Sequence, residues 1–111
     1  MSDYTRGVVH AILVDLPELR ALRESVRKQQ DFHTDRNLGT LFSLLTDVES
    51  AIPHLPPQLR EAVDVRYEQA RTERECANLL HISKRALCKR IEKAESFIAK
   101  FLSEHGTQTP Q

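Results

Sequence analysis

Apolar residues recur three or four positions apart along most of the chain, the spacing that places them on one face of an α-helix. The most regular stripe runs through 38–52, and another runs from residue 4 to about residue 14. Between them, Pro17 suits the first turn of a helix, where its missing N–H leaves no hydrogen bond unmade. The first half of the chain is therefore predicted to contain three helices, with the polar residues 29–37 as a loop.

Three prolines, Pro53, Pro56 and Pro57, divide the chain near its middle. They are predicted to end the third helix and to start a fourth, because proline is tolerated in a first turn but not in a helix interior. Apolar residues at helical spacing continue from Leu59 to Tyr67. With three glycines in 111 residues and no β-branched runs, the chain is predicted to be all-α.

Residues 72–93 have the pattern of two helices joined by a tight turn. Thr72 and Glu75 are spaced as a capping box, in which each side chain accepts a hydrogen bond from the other residue's backbone N–H. Ser83 follows a short turn at 81–82 and is predicted to cap the second helix with its hydroxyl. Ala77 is expected to be buried where the two helices cross. The first helix has a predicted apolar face formed by Cys76, Ala77, Leu79 and Leu80.

The second helix of this pair is basic on its predicted outward side. From residue 84 to residue 93 there are five basic residues and one acid, Glu92. A short helix, a tight turn and a basic second helix are what reading of the DNA major groove requires. Phosphate contacts would fix the register there, and arginine or lysine would bond guanine. The predicted DNA-binding residues are Thr72, Ser83, Lys84, Arg85, Lys89, Arg90 and Lys93.

Residues 55–102 resemble region four of bacterial sigma factors. The matching positions are LPPQLR at 55–60, the Arg-Tyr pair at 66–67, Ala77, and the Ile-Ser turn at 82–83 before the basic helix. As a whole, the chain is most similar to small phage late-transcription regulators of the ArpU/RinA type. The resemblance implies a helical region at 1–54 for dimerisation or partner binding, a sigma-like helix-turn-helix with a long final helix at 55–103, and a tail at 104–111. It also implies double-stranded DNA as ligand, a phage promoter as target, and RNA polymerase or another transcription protein as partner.

Three residues depart from the sigma-like pattern. The family usually has glycine at the positions of Ala70 and His81, and an apolar residue at Arg71. Arg71 would remove an apolar contact between helices. His81 would have to adopt a left-handed backbone, which costs a non-glycine residue roughly 1 kcal/mol or more.

Overall charge leaves other interpretations open. The formal net charge of the chain is zero, and residues 1–55 carry eight acids against six bases. In a second interpretation, the basic residues of the last helix are ordinary solvated charges. The chain would then be a protein-binding module that keeps the fold without reading DNA. A small phage packaging or structural protein that forms a ring is a third interpretation.

The last helix has an apolar seam that extends beyond the helix pair. Its members alternate in steps of four and three, the heptad spacing. About two heptads do not hold a coiled coil alone, so the seam is expected to pack either on the N-terminal helices or on a second copy. The second alternative would make the chain a homodimer. The seam residues are Leu87, Ile91, Ala94, Ile98 and Phe101.

Other chemistry has little support in the sequence. Cys76 and Cys88 lack the paired spacing of a zinc site and are predicted to lie on inward or half-buried helix sides. His10 is predicted to be a packing residue, and no cofactor or catalytic set is expected. Because the chain has no signal peptide and no long apolar run, we expect it in the cytoplasm. The polar tail at 106–111 is expected to be disordered.

Overall fold

A computed structural model describes residues 5–29 and 36–105. All regular elements in these ranges are helical, which confirms the predicted all-α fold. A 3₁₀ turn at Ile52–His54 and a π-helical turn at Asp64–Glu68 continue the third and fourth helices. The six α-helices are α1 (Arg6–Val14), α2 (Leu16–Gln29), α3 (Arg36–Ala51), α4 (Pro57–Val63), α5 (Glu73–Leu80) and α6 (Lys84–His105).

The N-terminal half contains the three predicted helices, and their caps follow from the sequence. The Thr5 hydroxyl accepts a hydrogen bond from the backbone N–H of Val8 and so caps α1. Pro17 lies in the first turn of α2, as predicted. The predicted loop at 29–37 is largely outside the described residues, since α2 extends through Gln29 and α3 already begins at Arg36. The tail at 106–111 also lies outside them.

Two arginines of α2 fasten it to α3. Arg20 Nε donates to Glu49 Oε2 over 2.7 Å, and Arg23 Nη1 donates to Glu49 Oε1 over 2.9 Å. Burial alone would raise the pKa of the Glu49 carboxyl, but the hydrogen bonds from Arg23 and Arg20 outweigh it, and the pKa is lowered. Arg20 also pairs with Glu68 in the π-helical turn, so this network joins the two halves of the chain.

A single hydrophobic core connects the two halves, with α6 at its centre. This helix contacts α1, α3, α4 and α5. Of the two alternatives for the heptad seam, the structure shows packing within the chain, because the N-terminal helices cover it. Phe101, the last member, is only half-buried. The fully or almost fully buried seam residues are Leu87, Ile91, Ala94 and Ile98.

A carboxylate is buried within this core. Glu95, on α6, is 2% exposed, and both of its partners come from α1. His10 Nδ1 lies 2.6 Å from Glu95 Oε2, and Arg6 Nη1 lies 3.3 Å from Glu95 Oε1. The His10 ring therefore contacts α6 through a nitrogen while about half of its side-chain surface stays in solvent.

Two residues predicted to face inward lie on the surface. Leu79 is 49% exposed, because α5 turns Cys76, Ala77 and Leu80 toward its neighbours and leaves Leu79 on the other side. Cys88 is exposed as well, although Cys76 is buried as predicted. Cys88 follows Lys84 by four residues, so it shares the outward side of α6 with that lysine. Among the described helices, none combines the length and apolar character needed to cross a membrane.

Candidate nucleic-acid interface

Helix α5 begins with the predicted capping box. Thr72 Oγ1 accepts from the Glu75 backbone N–H over 3.1 Å, and Glu75 Oε1 accepts from the Thr72 backbone N–H over 3.0 Å. The loop before it is held by Arg66, whose Nη1 donates to the Arg71 carbonyl oxygen over 2.7 Å. Together these bonds fix where α5 starts, immediately after the π-helical turn.

The turn between α5 and α6 is a left-handed helix stop. His81 has φ 59° and ψ 44°, as expected from its position. The His81 backbone N–H donates to the Asn78 carbonyl over 3.3 Å, and the Ile82 N–H donates to the Ala77 carbonyl over 3.0 Å. These two bonds form a Schellman motif, which satisfies the last carbonyls of α5 and sends the chain sharply into α6.

Ala70 also has a positive φ, of 54°. Among the described non-glycine residues, Ala70 and His81 are the two with this conformation. Both residues therefore lie in the left-handed region for which glycine is suited. Each of the two side chains thus adds local backbone strain that glycine would not have.

Helix α6 begins with the predicted serine cap. Ser83 Oγ accepts from the Ala86 backbone N–H over 3.0 Å, and the Ser83 carbonyl accepts from Leu87 N–H over 3.0 Å. The side chain thereby satisfies an N–H that α6 cannot pair internally.

Small and apolar residues hold α5 against α6. Ala77 is 5% exposed, which confirms its predicted burial. Cys76 is fully buried, and burial raises the pKa of its thiol. Beneath the pair, Tyr67 is buried and desolvation raises its pKa to about 12, so the phenol stays neutral. The Arg66 guanidinium lies 5.6 Å from the centre of the Tyr67 ring, within cation–π distance.

The predicted basic residues of α6 do not all share one surface. Arg85, Lys89 and Lys93 are exposed and follow one another at intervals of four residues, so they form one stripe along the outward side. Lys84 is exposed at the first turn, beside the Ser83 cap. Arg90 is half-buried, because its position is about 100° around the helix from Lys89. We call Arg85, Lys89 and Lys93 the basic stripe.

Among the described residues, no acidic side chain forms an ion pair with a cation of the basic stripe. Within residues 5–29 and 36–105, the basic partners in the ion pairs are His10 and four arginines of α1 and α2, and none of them lies on α6. The arginines of α1 and α2 thus serve mainly to join helices. The three cations of the basic stripe are exposed and can meet an external anion.

Two further cations adjoin the start of α5 and were not among the predicted site residues. Arg71 and Arg74 line the same shallow cleft as Thr72 and Lys84. This cleft joins the capped N-terminus of α5 to the first turn of α6 and extends the basic surface beyond the basic stripe. The sequence contains a signal for them, since both arginines lie within two residues of the helix cap Thr72.

Acidic residues limit this surface. Glu73 and Glu75 are exposed in the first turn of α5, where their negative charges interact favourably with the positive end of the helix dipole. Glu92 is exposed on α6 beside the basic stripe. The surface is therefore mixed in sign, with its cations concentrated at the first turns of α6. Among the described residues, no three His, Cys, Asp or Glu side chains are placed to hold a metal ion.

No protein-family model, curated protein or solved structure matches this chain.

Proposed function

We propose that the chain is a sequence-specific DNA-binding protein that regulates transcription, with the N-terminal half of α6 in the major groove. The observation that carries the proposal is the basic stripe, which forms no ion pair with the described residues and lies on a helix whose start is fixed by the His81 turn and the Ser83 cap. A rigid, exposed, cationic helix start is what groove reading requires.

The roles of the residues follow from their places. Arg85 and Lys89 lie on the outward side near the helix start, where a side chain reaches base edges, and either residue type bonds guanine O6 and N7. Lys84, Arg71 and Arg74 lie around the cleft at the start of α5 and are suited to phosphates, which set the register without reading sequence. The half-buried Arg90 is assigned to a phosphate at the edge of the groove.

The resemblance to phage late-transcription regulators supports a promoter as the target and RNA polymerase as a protein partner. One copy offers a small contact area to DNA, and a single helix module gives limited affinity. A contact with RNA polymerase or with a second copy of the chain would supply the additional binding free energy.

The test is a DNA-selection experiment followed by binding measurements at several salt concentrations. We expect Lys89→Gln to weaken binding to the selected sequence and to reduce the slope of log affinity against log salt by about 1. Lys28→Gln is the matched control, because Lys28 is also an exposed lysine and lies on α2, away from the proposed interface. Both variants should keep the wild-type circular dichroism, since neither lysine makes an ion pair in the described part of the chain.

The net charge of zero favours a second candidate, a protein-binding module that keeps the helix pair without reading DNA. Absence of binding to any DNA at low salt, with the protein folded, would support this candidate and refute the first. A loss of affinity in Lys28→Gln equal to that in Lys89→Gln would refute the assignment to the basic stripe.

A further inference from the structure

A pocket of about 490 Å³ lies between α1 and α6 and contains none of the residues assigned to DNA. Val14 of α1 and Leu87 and Ile91 of α6 form its apolar wall, and Tyr67 of the π-helical turn also lines it. Leu87 and Ile91 are buried members of the α6 seam, whereas Val14 is 49% exposed. Cavities of about 300–1,000 Å³ with apolar walls and a few polar groups are the usual binding sites for small molecules.

The Tyr67 hydroxyl is a polar group without a partner in this pocket. Tyr67 is 6% exposed, and among the described residues its hydroxyl makes no hydrogen bond; the polar contact of this side chain is the Arg66 guanidinium beside its ring. An unpaired polar atom that is cut off from water is costly, and no side-chain nitrogen or oxygen in the described interior is both enclosed and unpaired. The hydroxyl is therefore reached through a cavity that Tyr67 lines.

The neighbouring carboxylates place this hydroxyl on the side of the pocket between α1 and α6. Desolvation is the main cause that raises the pKa of Tyr67 to about 12, and the carboxylates of Glu95 and Glu73 raise it further. Both of these carboxylates line the same pocket. Because the phenol stays neutral, its oxygen can accept a hydrogen bond from a ligand N–H as well as donate its own proton.

The acids of the pocket differ in whether they already have partners. The buried Glu95 is held by Arg6 and His10 of α1. Glu73 and Glu92 also line the pocket, and both are exposed. Neither of these two forms an ion pair with the described residues. Two carboxylates at the pocket are therefore free to meet a cation from outside the protein.

The net charge of the lining is also negative. Three glutamates and two arginines line the pocket, which gives a net charge of −1 with histidine counted as neutral. Of the two arginines, Arg6 already pairs with Glu95. Arg66 donates to the Arg71 carbonyl oxygen and lies beside the Tyr67 ring. The pocket thus has more unused capacity for a cation than for an anion.

We propose that this pocket binds a small organic cation, an ammonium group attached to an apolar ring or chain. The ammonium group donates charge-assisted hydrogen bonds to the Glu92 carboxylate and a further hydrogen bond to the Tyr67 hydroxyl oxygen. The apolar part packs on Val14, Leu87 and Ile91. This site goes beyond the proposed function and does not depend on whether α6 binds DNA.

Three probes of similar size and different charge test the ligand class. Benzylammonium, benzyl alcohol and benzoate are each titrated into the full chain at neutral pH and followed by calorimetry or NMR. We expect benzylammonium to bind with a Kd of about 1 mM, the range for a fragment of this size, and the other two several-fold more weakly. Benzoate binding as tightly as benzylammonium would overturn the proposal. Absence of benzylammonium binding at ten times that concentration would also overturn it.

Removal of one carboxylate tests the site within the pocket. Glu92→Gln should weaken benzylammonium binding several-fold and leave the weak binding of benzyl alcohol unchanged. Glu61→Gln is the matched control, because Glu61 is an exposed acid of α4 that also lacks an ion pair among the described residues and does not line this pocket. An equal loss of affinity in the two variants would indicate overall charge as the cause and would overturn the site.

Tyr67→Phe tests the unpaired hydroxyl, because it keeps the ring and removes only the oxygen. Since this hydroxyl has no hydrogen bond to the described residues, its loss should not lower the midpoint of urea unfolding of the free protein. The same variant should weaken benzylammonium binding several-fold. A lower midpoint together with unchanged binding would show that the hydroxyl is satisfied within the protein, and would overturn its role.

Cys88 reports whether the probe occupies this pocket. Its thiol is exposed and lines the pocket, whereas Cys76 is buried. Saturating benzylammonium should slow the reaction of Cys88 with the uncharged reagent N-ethylmaleimide several-fold. In a Cys88→Ser background, Lys89→Cys is the control whose rate should not change, because Lys89 does not line the pocket. Binding of benzylammonium without protection of Cys88, or with equal protection of the two thiols, would overturn the proposed site.

Discussion

Replacing His81, the left-handed residue in the turn between α5 and α6, by glycine tests the conformation of that turn. The sign of the change in unfolding free energy distinguishes a left-handed from a right-handed backbone. His81 has φ 59°, and its side chain is exposed, so replacing it removes little packing. A non-glycine residue in this region carries about 1–2 kcal/mol of strain. Glycine removes the strain but loses about 0.5–1 kcal/mol through the larger entropy of the unfolded chain. We expect His81→Gly to raise the free energy of unfolding by up to about 1.5 kcal/mol.

Urea or thermal unfolding followed by circular dichroism measures this change. For a chain of this size, 1 kcal/mol corresponds to about 4 °C in Tm. His81→Val is the opposing control, because a β-branched residue tolerates a positive φ worst and should lower Tm. In a right-handed helical turn, glycine would instead destabilise by about 1 kcal/mol. A lower Tm in His81→Gly than in wild type would therefore refute the left-handed turn and the placement of α6 that depends on it.

Three further outcomes are expected. Ala77→Leu should overpack the contact between α5 and α6 and cost about 1–3 kcal/mol of unfolding free energy, so an unchanged melting temperature would contradict the packing. Arg23 and Arg20 lower the pKa of the Glu49 carboxyl in the folded protein. The stability that this carboxylate contributes is therefore present above its unfolded pKa of about 4.3 and is lost as pH falls through the folded pKa. In an acid titration, the unfolding free energy of Glu49→Gln should fall less steeply with pH than that of the wild type. A thiol reagent should modify the exposed Cys88 rapidly and the buried Cys76, whose thiol pKa is raised, only on unfolding; equal rates in the native protein would count against this burial.

Local features of the fold were readable from the sequence because their causes lie within a few residues. The Thr72 box and the Ser83 cap depend on hydroxyl and carboxylate groups at fixed short spacings, and the structure contains both. Ala77 is small where two helices meet, and it is buried. Such predictions need only the residue types within a few positions of a turn, so they hold without knowledge of the tertiary structure.

Features that depend on distant parts of the chain were not predictable in this way. Glu95 looks like any surface acid in the sequence, yet it is buried because His10 and Arg6, 85 and 89 residues away, reach it from α1. The exposure of Cys88 and the half-burial of Arg90 depend on the rotation of α6, which its contacts with four other helices fix. For the candidate site, the basic residues were identified, but their division into an exposed stripe and a flanking arginine required the structure.

The shared core has a consequence for modularity. Val9, Ile12 and Leu13 of α1 are buried in the same cluster as Leu87 and the rest of the α6 seam. A gene fragment that encodes only residues 55–111 would therefore expose that seam to water and would aggregate or remain molten. Two separately expressed fragments, one for each half, should instead reconstitute the fold when mixed. The basic helix therefore depends on the N-terminal helices for part of the interior that covers its apolar seam.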